Sequence, residues 1–235
     1  MRVRVGTSGW SYDEWKGSFY PEDISSGAML AYYAARMGTV EVNNTFYRLP
    51  KKEVLAGWAE QVPDDFSFVI KASQKITHHA KLGAAAADPL RYLLGCCEAL
   101  GAKLGPLLFQ TPPWLKKDVP LLEDFLALLP EGIRGAFEFR STSWFDEAVY
   151  DALRAGNHAL VAADTGAPDK DPPLVPTASW GYARLRRVVY EEGMLAEWAE
   201  RLTAPPWDEV YVFFKHEDEG TGPRLAGHFL ALTGG

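Results

Sequence analysis

Glu41, Lys71, Gln110, Glu138, Asp164 and Arg184 each lie at or beside the end of a short apolar run. These residue types move protons, attack carbonyl carbons or hold anions. The run from Ile133 to Arg140 is the most explicit. If it is a strand, side chains alternate across it, so Glu138 and Arg140 share one face and Phe137 and Phe139 the other. The same alternation places Glu41 with Asn43, and Arg184 with Arg186. A charge at a buried strand end needs a partner or water, because an unpaired buried charge is costly. The chemistry on offer is therefore a polar cluster built from several strand ends.

Two carboxylates around one substrate can serve as acid and base when their surroundings push their pKa values apart. Glu41 and Glu138 are the first such pair, and Lys71 and Asp164 complete the catalytic candidates. Lys71 suits three roles: Schiff-base nucleophile, electrostatic clamp or counter-ion, with the clamp preferred. Arg140 and Arg184 carry fixed charge and paired donors, which suit phosphate or carboxylate groups. Asn43 and Asn44 follow the second strand, Gln110 ends the fourth and His216 ends the eighth, all as candidate substrate contacts. Trp10 and Tyr47 join them from the aromatic loops after the first and second strands, where flat rings can stack on sugars or bases. The plainer alternative is that the carboxylates and cations neutralise one another and the rings form local core.

Such residues need a scaffold that brings strand ends together. Apolar runs place strands near 2–6, 39–43, 66–71, 104–109, 133–139, 158–163, 180–186 and 209–214. Helical periodicity falls between them near 27–37, 51–61, 88–101, 119–129, 146–155, 193–203 and 222–232. Asp88-Pro89 and Asp118 before Val119-Pro120 read as helix starts. Short apolar strands alternating with helices imply parallel pairing, and eight of them fit a single TIM-type (β/α)8 barrel over residues 1–235. In that fold the polar strand ends gather at one mouth. Residues 165–176 hold four prolines and no apolar periodicity, so they form a long loop after the sixth strand. Gly6-Thr7-Ser8-Gly9 is too short for a dinucleotide fingerprint, which argues against an open nucleotide-binding sheet.

The 235 residues suffice for one sizeable core. A net charge of −7 argues against a protein that coats nucleic acid, though not against a basic cleft on an acidic body. Cys96 and Cys97 are the only cysteines; one adjacent pair makes neither a disulfide framework nor a zinc site. His78 and His79 are adjacent too, and neighbours rarely ligate one ion together. The chain opens on the strand-like Val3-Arg4-Val5 rather than an apolar leader, and no apolar run approaches the ~20 residues that span a bilayer. The expectation is a cytoplasmic protein with no membrane contact, no cofactor and no tightly bound metal.

Several segments together resemble one family. They are Gly6-Thr7-Ser8-Gly9-Trp10-Ser11-Tyr12 with Trp15-Lys16-Gly17, the stretch Glu41 to Pro50, Phe68 to Ser73 with Ile76-Thr77-His78, Leu104 to Gln110 with Pro112-Pro113, Phe137 to Arg140 with Ser143-Trp144, and Tyr211 to Glu217. They resemble the YecE-like family, domain of unknown function 72, over nearly the whole chain. The resemblance implies a TIM-type barrel and supplies no reaction. Two departures stand out. Ser141 occupies a position where members often carry His, and Arg186-Arg187 stands where His-Gly often follows the seventh strand. A mechanism that needs those histidines does not transfer to this chain.

Three functions fit these readings. The first is a metal-independent enzyme acting on a small anionic or sugar-like substrate, with carboxylates moving the proton and cations holding a phosphate or carboxylate. The second is a nucleic-acid binder or endonuclease-like barrel, and the third a ligand-binding barrel without chemistry.

Overall fold

The computed structural model describes residues 1–191 and 193–234. Eight strands, β1 (Arg2–Thr7), β2 (Thr39–Val42), β3 (Ser67–Lys71), β4 (Leu104–Gln110), β5 (Gly135–Glu138), β6 (Ala159–Asp164), β7 (Trp180–Leu185) and β8 (Glu209–Phe214), form one sheet in the order β1-β8-β7-β6-β5-β4-β3-β2. Every pairing in it is parallel. The strands lie where apolar runs predict them, and the TIM-type barrel is the observed fold.

The sheet closes between β1 and β2 without a full ladder. At the upper end Gly9 N donates to Glu41 O at 2.8 Å beside a parallel bridge between Ser8 and Glu41. Lower down a side chain completes the closure: Tyr33 Oη accepts from Thr7 N at 2.9 Å and donates to Thr39 O at 3.0 Å. Gly6 is required here. A Cβ at this position would lie 2.1 Å from Thr39 O, so only glycine lets the two backbones approach.

The seven predicted helices are present as α1 (Met29–Ala34), α3 (Lys52–Ala59), α4 (Ala87–Cys97), α5 (Val119–Leu126), α6 (Glu147–Ala155), α7 (Met194–Thr203) and α8 (Thr221–Thr233). A short α2 (Asn44–Tyr47), not foreseen, follows β2 directly. Asp118 caps α5 by accepting from Leu121 N, with proline in the first turn, and Asp146 caps α6 through Ala148 N. No helix joins β6 to β7. The proline-rich segment covers the sheet instead, pinned where Thr177 Oγ1 accepts from Leu160 N at 2.7 Å and donates to His158 O at 2.8 Å.

Parallel strands buried on both faces need two apolar layers. Outward residues such as Val40, Ile70, Phe109, Phe137 and Val212 pack under the helices. Inward residues Val69, Leu108, Ala136, Val161, Tyr182, Tyr211 and Phe213 fill the barrel itself. That inner plug supports a layer of polar side chains higher along the strands, at the C-terminal mouth.

Candidate functional site

The mouth is organised around one guanidinium. Arg184 on β7 is 2% exposed and spans the barrel between two carboxylates. Its Nη2 donates to Glu41 Oε1 at 2.7 Å and its Nη1 to Glu138 Oε2 at 2.5 Å. Glu41 on β2 further accepts from Ser8 Oγ at 2.7 Å, Tyr182 Oη at 2.6 Å and Asn43 Nδ2 at 3.3 Å. Glu138 on β5 accepts from Gln110 Nε2 at 2.8 Å and from Arg186 Nη2 at 2.8 Å, and Arg140 Nε lies 3.6 Å from its Oε1. The alternation expected of β2, β5 and β7 thus delivers Glu41 with Asn43, Glu138 with Arg140, and Arg184 with Arg186 to one place.

These contacts set the charge states. Burial pushes the Glu138 carboxyl up, but Arg184, Arg186 and Arg140 outweigh it and hold the group well below the usual carboxylate range. Glu41 follows the same pattern: burial raises it, while Arg184 and the donors Tyr182 and Ser8 lower it further than burial raises it. Both glutamates are ionised at neutral pH. Arg184 is held in its charged form because the two glutamates overcome the effect of burial. Tyr182 is kept protonated, first by burial and then by Glu41.

Lys71 behaves differently. Its side chain is mostly buried, and its Nζ lies 4.4 Å over the Phe46 ring. Among the described residues no carboxylate lies within ion-pair distance of it. Burial and the neighbouring Arg184 lower its pKa to about 8, against a smaller opposing pull from Glu41 and Glu138. Lys71 is therefore the group at the mouth whose proton is exchangeable near neutrality.

The mouth opens into a cavity of about 450 Å³ whose lining includes Tyr12, Asn43, Phe46, Lys71, Arg140 and Lys215. Asn44, Tyr47, Gln110, Arg184, Arg186 and Glu217 also border it. Of the residues selected from sequence, Glu41, Glu138, Lys71, Asn43, Asn44, Tyr47, Gln110, Arg140 and Arg184 are brought together here. Arg140 and Arg184 do not form a clamp around open space, because both terminal nitrogens of Arg184 are engaged by the glutamates. The free cationic reach of the site comes instead from Arg140, whose side chain is 41% exposed, and from Lys71 and Lys215.

Three selected residues stand elsewhere. Val161 points into the barrel, so Asp164, three positions on, faces out. It accepts from Trp198 Nε1 at 3.0 Å and pairs with Arg187, against α7. Phe213 points in, so His216 also faces out, where its Nε2 meets Arg187 O at 2.6 Å. Trp10 packs edge-on against Trp58 with ring centroids 5.0 Å apart. None of the three lines the cavity. Conversely, sequence reasoning gave Tyr12, Phe46, Arg186, Lys215 and Glu217 no place among the site residues, although all line the cavity. Lys215 lies two residues beyond the inward Phe213, a phase that only the structure supplies. The remaining aromatic loops divide: Trp15 and Trp144 are core, the latter stacked on Phe139 at 4.4 Å, whereas Tyr47 and Trp114 are exposed on the rim.

A larger groove of about 680 Å³ lies at the opposite end, between α5 and α6. Glu123, Glu131, Arg134 and His158 are among its lining residues, but barrel enzymes place their chemistry at the C-terminal face. Among the described residues no group of three or more His, Cys, Asp or Glu side chains is arranged to hold a metal ion, and no helix is long and apolar enough to cross a membrane.

The fold and the chain both have relatives. The model of the family described as "Protein of unknown function DUF72" matches residues 4–235. A crystal structure of a DUF72 family protein from Thermotoga maritima superposes with a TM-score of 0.88 at 27% identity, covering 100% of both chains. UPF0759 protein YecE of Escherichia coli is 31% identical over 145 residues, which are 61% of this chain and 50% of that protein. UPF0759 protein YunF of Bacillus subtilis is 28% identical over 158 residues, 63% of this chain and 54% of that protein. The chain thus matches about half the length of these curated relatives. A xylose isomerase-like TIM barrel fused to a 4-hydroxyphenylpyruvate dioxygenase shares the fold at 14% identity, with a TM-score of 0.54 over 41% of that chain. With its barrel architecture and a family match spanning all but its first three residues, the chain belongs to the DUF72 family.

Proposed function

We propose that the barrel mouth is the active site of an enzyme acting on a small carboxylate- or phosphate-bearing metabolite. One observation carries this reading: the mouth keeps more cation than its carboxylates can neutralise. Lys71, Arg140, Arg184, Arg186 and Lys215 line it, against Glu217 on the wall and Glu41 and Glu138 beneath. Arg184 is taken up by the two buried glutamates. Arg140, Lys71 and Lys215 remain to meet an anion within a partly enclosed space, where charge–charge attraction is screened less than in open water.

In this reading Glu41 and Glu138 are positioning groups. A general acid near neutrality must hold a proton there, and the arginines prevent both glutamates from doing so. Proton transfer then falls to Lys71, held at about 8. Asn43, Gln110 and Tyr12 supply neutral hydrogen-bonding groups on the same wall.

The test is thermal stabilisation by inorganic phosphate and by pyruvate, in the whole protein and in Arg140→Ala and Lys215→Ala variants. Saturable stabilisation that weakens at least several-fold in both variants is expected, because a ligand that binds only the folded state raises its melting temperature. Equal shifts in all three proteins would overturn the reading. A nucleic-acid substrate is the second reading. It is favoured by the exposed Tyr47 and Trp114 on the rim and by Lys81 Nζ, 5.3 Å over the Trp114 ring. Oligonucleotide binding with steep salt dependence, without a response to small anions, would select it.

A further inference from the structure

Lys71 is an awkward choice for a residue that only holds an anion. A clamp needs a permanent charge, and arginine keeps its charge under burial where lysine does not. Here the amine is mostly buried at the end of β3, over the face of Phe46, with no carboxylate within ion-pair distance among the described residues and with Arg184 and Arg140 opposing its charge. The permanent anion-binding charge is already supplied by Arg140, and Lys215 lies on the same wall. What Lys71 adds is a nitrogen able to lose its proton and present a lone pair to the cavity. The cysteine thiols, the other nucleophiles that could attack a carbonyl, lie in α4 outside the barrel.

The loop after Lys71 is shaped to hold it. A π-helical turn, Lys75–His79, follows β3, and such turns are concentrated at functional sites. It sets His78 edge-on to Phe46, ring centroids 5.0 Å apart, with Thr77 Oγ1 2.9 Å from His78 Nδ1. Phe46 is thus pinned between His78 and Lys71. Lys81 and Leu82, just beyond the turn, adopt left-handed backbone at φ 55° and 63°. Strain of this kind persists only where surrounding structure enforces it.

We propose that Lys71 is a covalent nucleophile that forms an imine with a small aldehyde or ketone carrying a carboxylate or phosphate. This rests on the anion site described above and deepens it. The neutral amine nitrogen attacks the carbonyl carbon and forms a C–N bond. The carbonyl π electrons move to oxygen, which takes up a proton as nitrogen releases one, giving a carbinolamine. The C–O bond then breaks, its oxygen leaves as water with the remaining nitrogen proton, and a C=N bond to Nζ remains. Arg140 and Lys215 hold the anionic end away from the reacting carbon. Amine, carbonyl and water balance without any further reagent.

The experiment is reductive trapping. The protein is incubated with pyruvate, and separately with glyceraldehyde 3-phosphate, in the presence of sodium cyanoborohydride. Hydride adds to the imine carbon and fixes a secondary amine, read by intact mass and by peptide mapping. A single adduct on Lys71 is expected, at least ten-fold faster than on exposed Lys52 or Lys116. Trapping should accelerate as pH rises toward about 8, following the neutral amine, and inorganic phosphate should compete. Lys71→Arg, checked for folding by circular dichroism, should lose the adduct. Adducts spread evenly over surface lysines would overturn the inference, as would phosphate binding with no adduct on Lys71; that second result leaves the anion site standing. Neither binding nor adduct would defeat both.

Discussion

The two ends of this barrel carry charge networks of opposite design. At the mouth, one guanidinium, Arg184, is shared by two carboxylates, all three groups almost fully buried. At the floor, one carboxylate, Glu209, is shared by two guanidiniums: Arg4, and Arg134 at 2.8 Å. Arg134 also donates to Tyr211 Oη at 2.9 Å and lies over the Trp180 ring. The floor network carries one positive charge in excess, and it reaches water, since the Arg134 side chain is 33% exposed. The mouth network seals two anions beneath the surface and leaves Lys71, Arg140 and Lys215 facing the cavity. At the floor the excess charge meets water; at the mouth, on the reading proposed above, the excess cations face a cavity and are arranged to bind an anion.

The sharpest way to break this contrast is Arg184→Met. It strands two buried carboxylates, and loss of one partner from a buried ion pair costs about 3–5 kcal/mol. Urea denaturation should show a loss of that size, and adding Glu41→Gln with Glu138→Gln should recover most of it. If Arg184→Met alone is tolerated, the mouth glutamates are not held as described.

Acid should separate the two ends. His158, at the floor just before β6, is lowered from 6.5 to about 4 by burial, its Nδ1 accepting from Gly135 N at 3.1 Å. The unfolded chain binds the extra proton first, so stability falls as pH drops from 6.5 toward 4, by up to about 3 kcal/mol. The mouth glutamates also have folded pKa values below their ordinary 4.5, so their contribution is present above that value and is lost below it. A stability-versus-pH curve should therefore fall in two stages. The lower stage should vanish in the Arg184→Met/Glu41→Gln/Glu138→Gln protein while the upper one remains.

Lys71→Met should stabilise the fold. The amine titrates near 8 in the folded protein against 10.5 ordinarily, so carrying its charge below pH 8 costs up to about 3 kcal/mol, a cost that disappears above 10.5. The variant should melt higher at pH 7, with a gain that shrinks toward pH 10.5, and should lose the trapping reaction. A destabilised variant at pH 7 would mean that Lys71 is a structural counter-ion. The smallest effect belongs to the floor: Glu209→Gln leaves Arg134 open to water and should cost about 1 kcal/mol in the same urea assay.

Most of the fold was legible because short apolar runs close on or beside polar residues and the helices between keep their own period. The site was legible where a strand alternates. Glu138 and Arg140 oppose Phe137 and Phe139, which fixes which face is polar. It was not legible on β6 and β8. Ala159 to Ala163 and Val210 to Phe214 are apolar on both faces, as parallel strands buried on both sides are, so the sequence carries no phase there. A residue ending such a strand points in or out with equal warrant, and Asp164 and His216 point out. Tyr182 and Ser8, which complete the Glu41 environment, come from residue types too common in strands to single out. Arg184 was read correctly as inward. Its engagement by two glutamates depends on the strand stagger that sets it level with both, which no local pattern records.

The joint between β1 and β2 has a consequence for motion. Every other strand pair is zipped by a ladder, but here a tyrosine hydroxyl acts as a clasp, with backbone pairing only at the upper end. A clasp is the weakest link of a ring, so the barrel should breathe by parting at this line. The amide protons of Thr7 and Gly9, which donate across this line to Tyr33 Oη and Glu41 O, should then exchange with solvent sooner than those of β7 and β8. Ser8 and Glu41 flank the clasp and touch each other beneath the mouth. Parting the clasp pulls apart the glutamate that anchors Arg184, so the rate at which this line opens becomes a gauge of whether the mouth is filled.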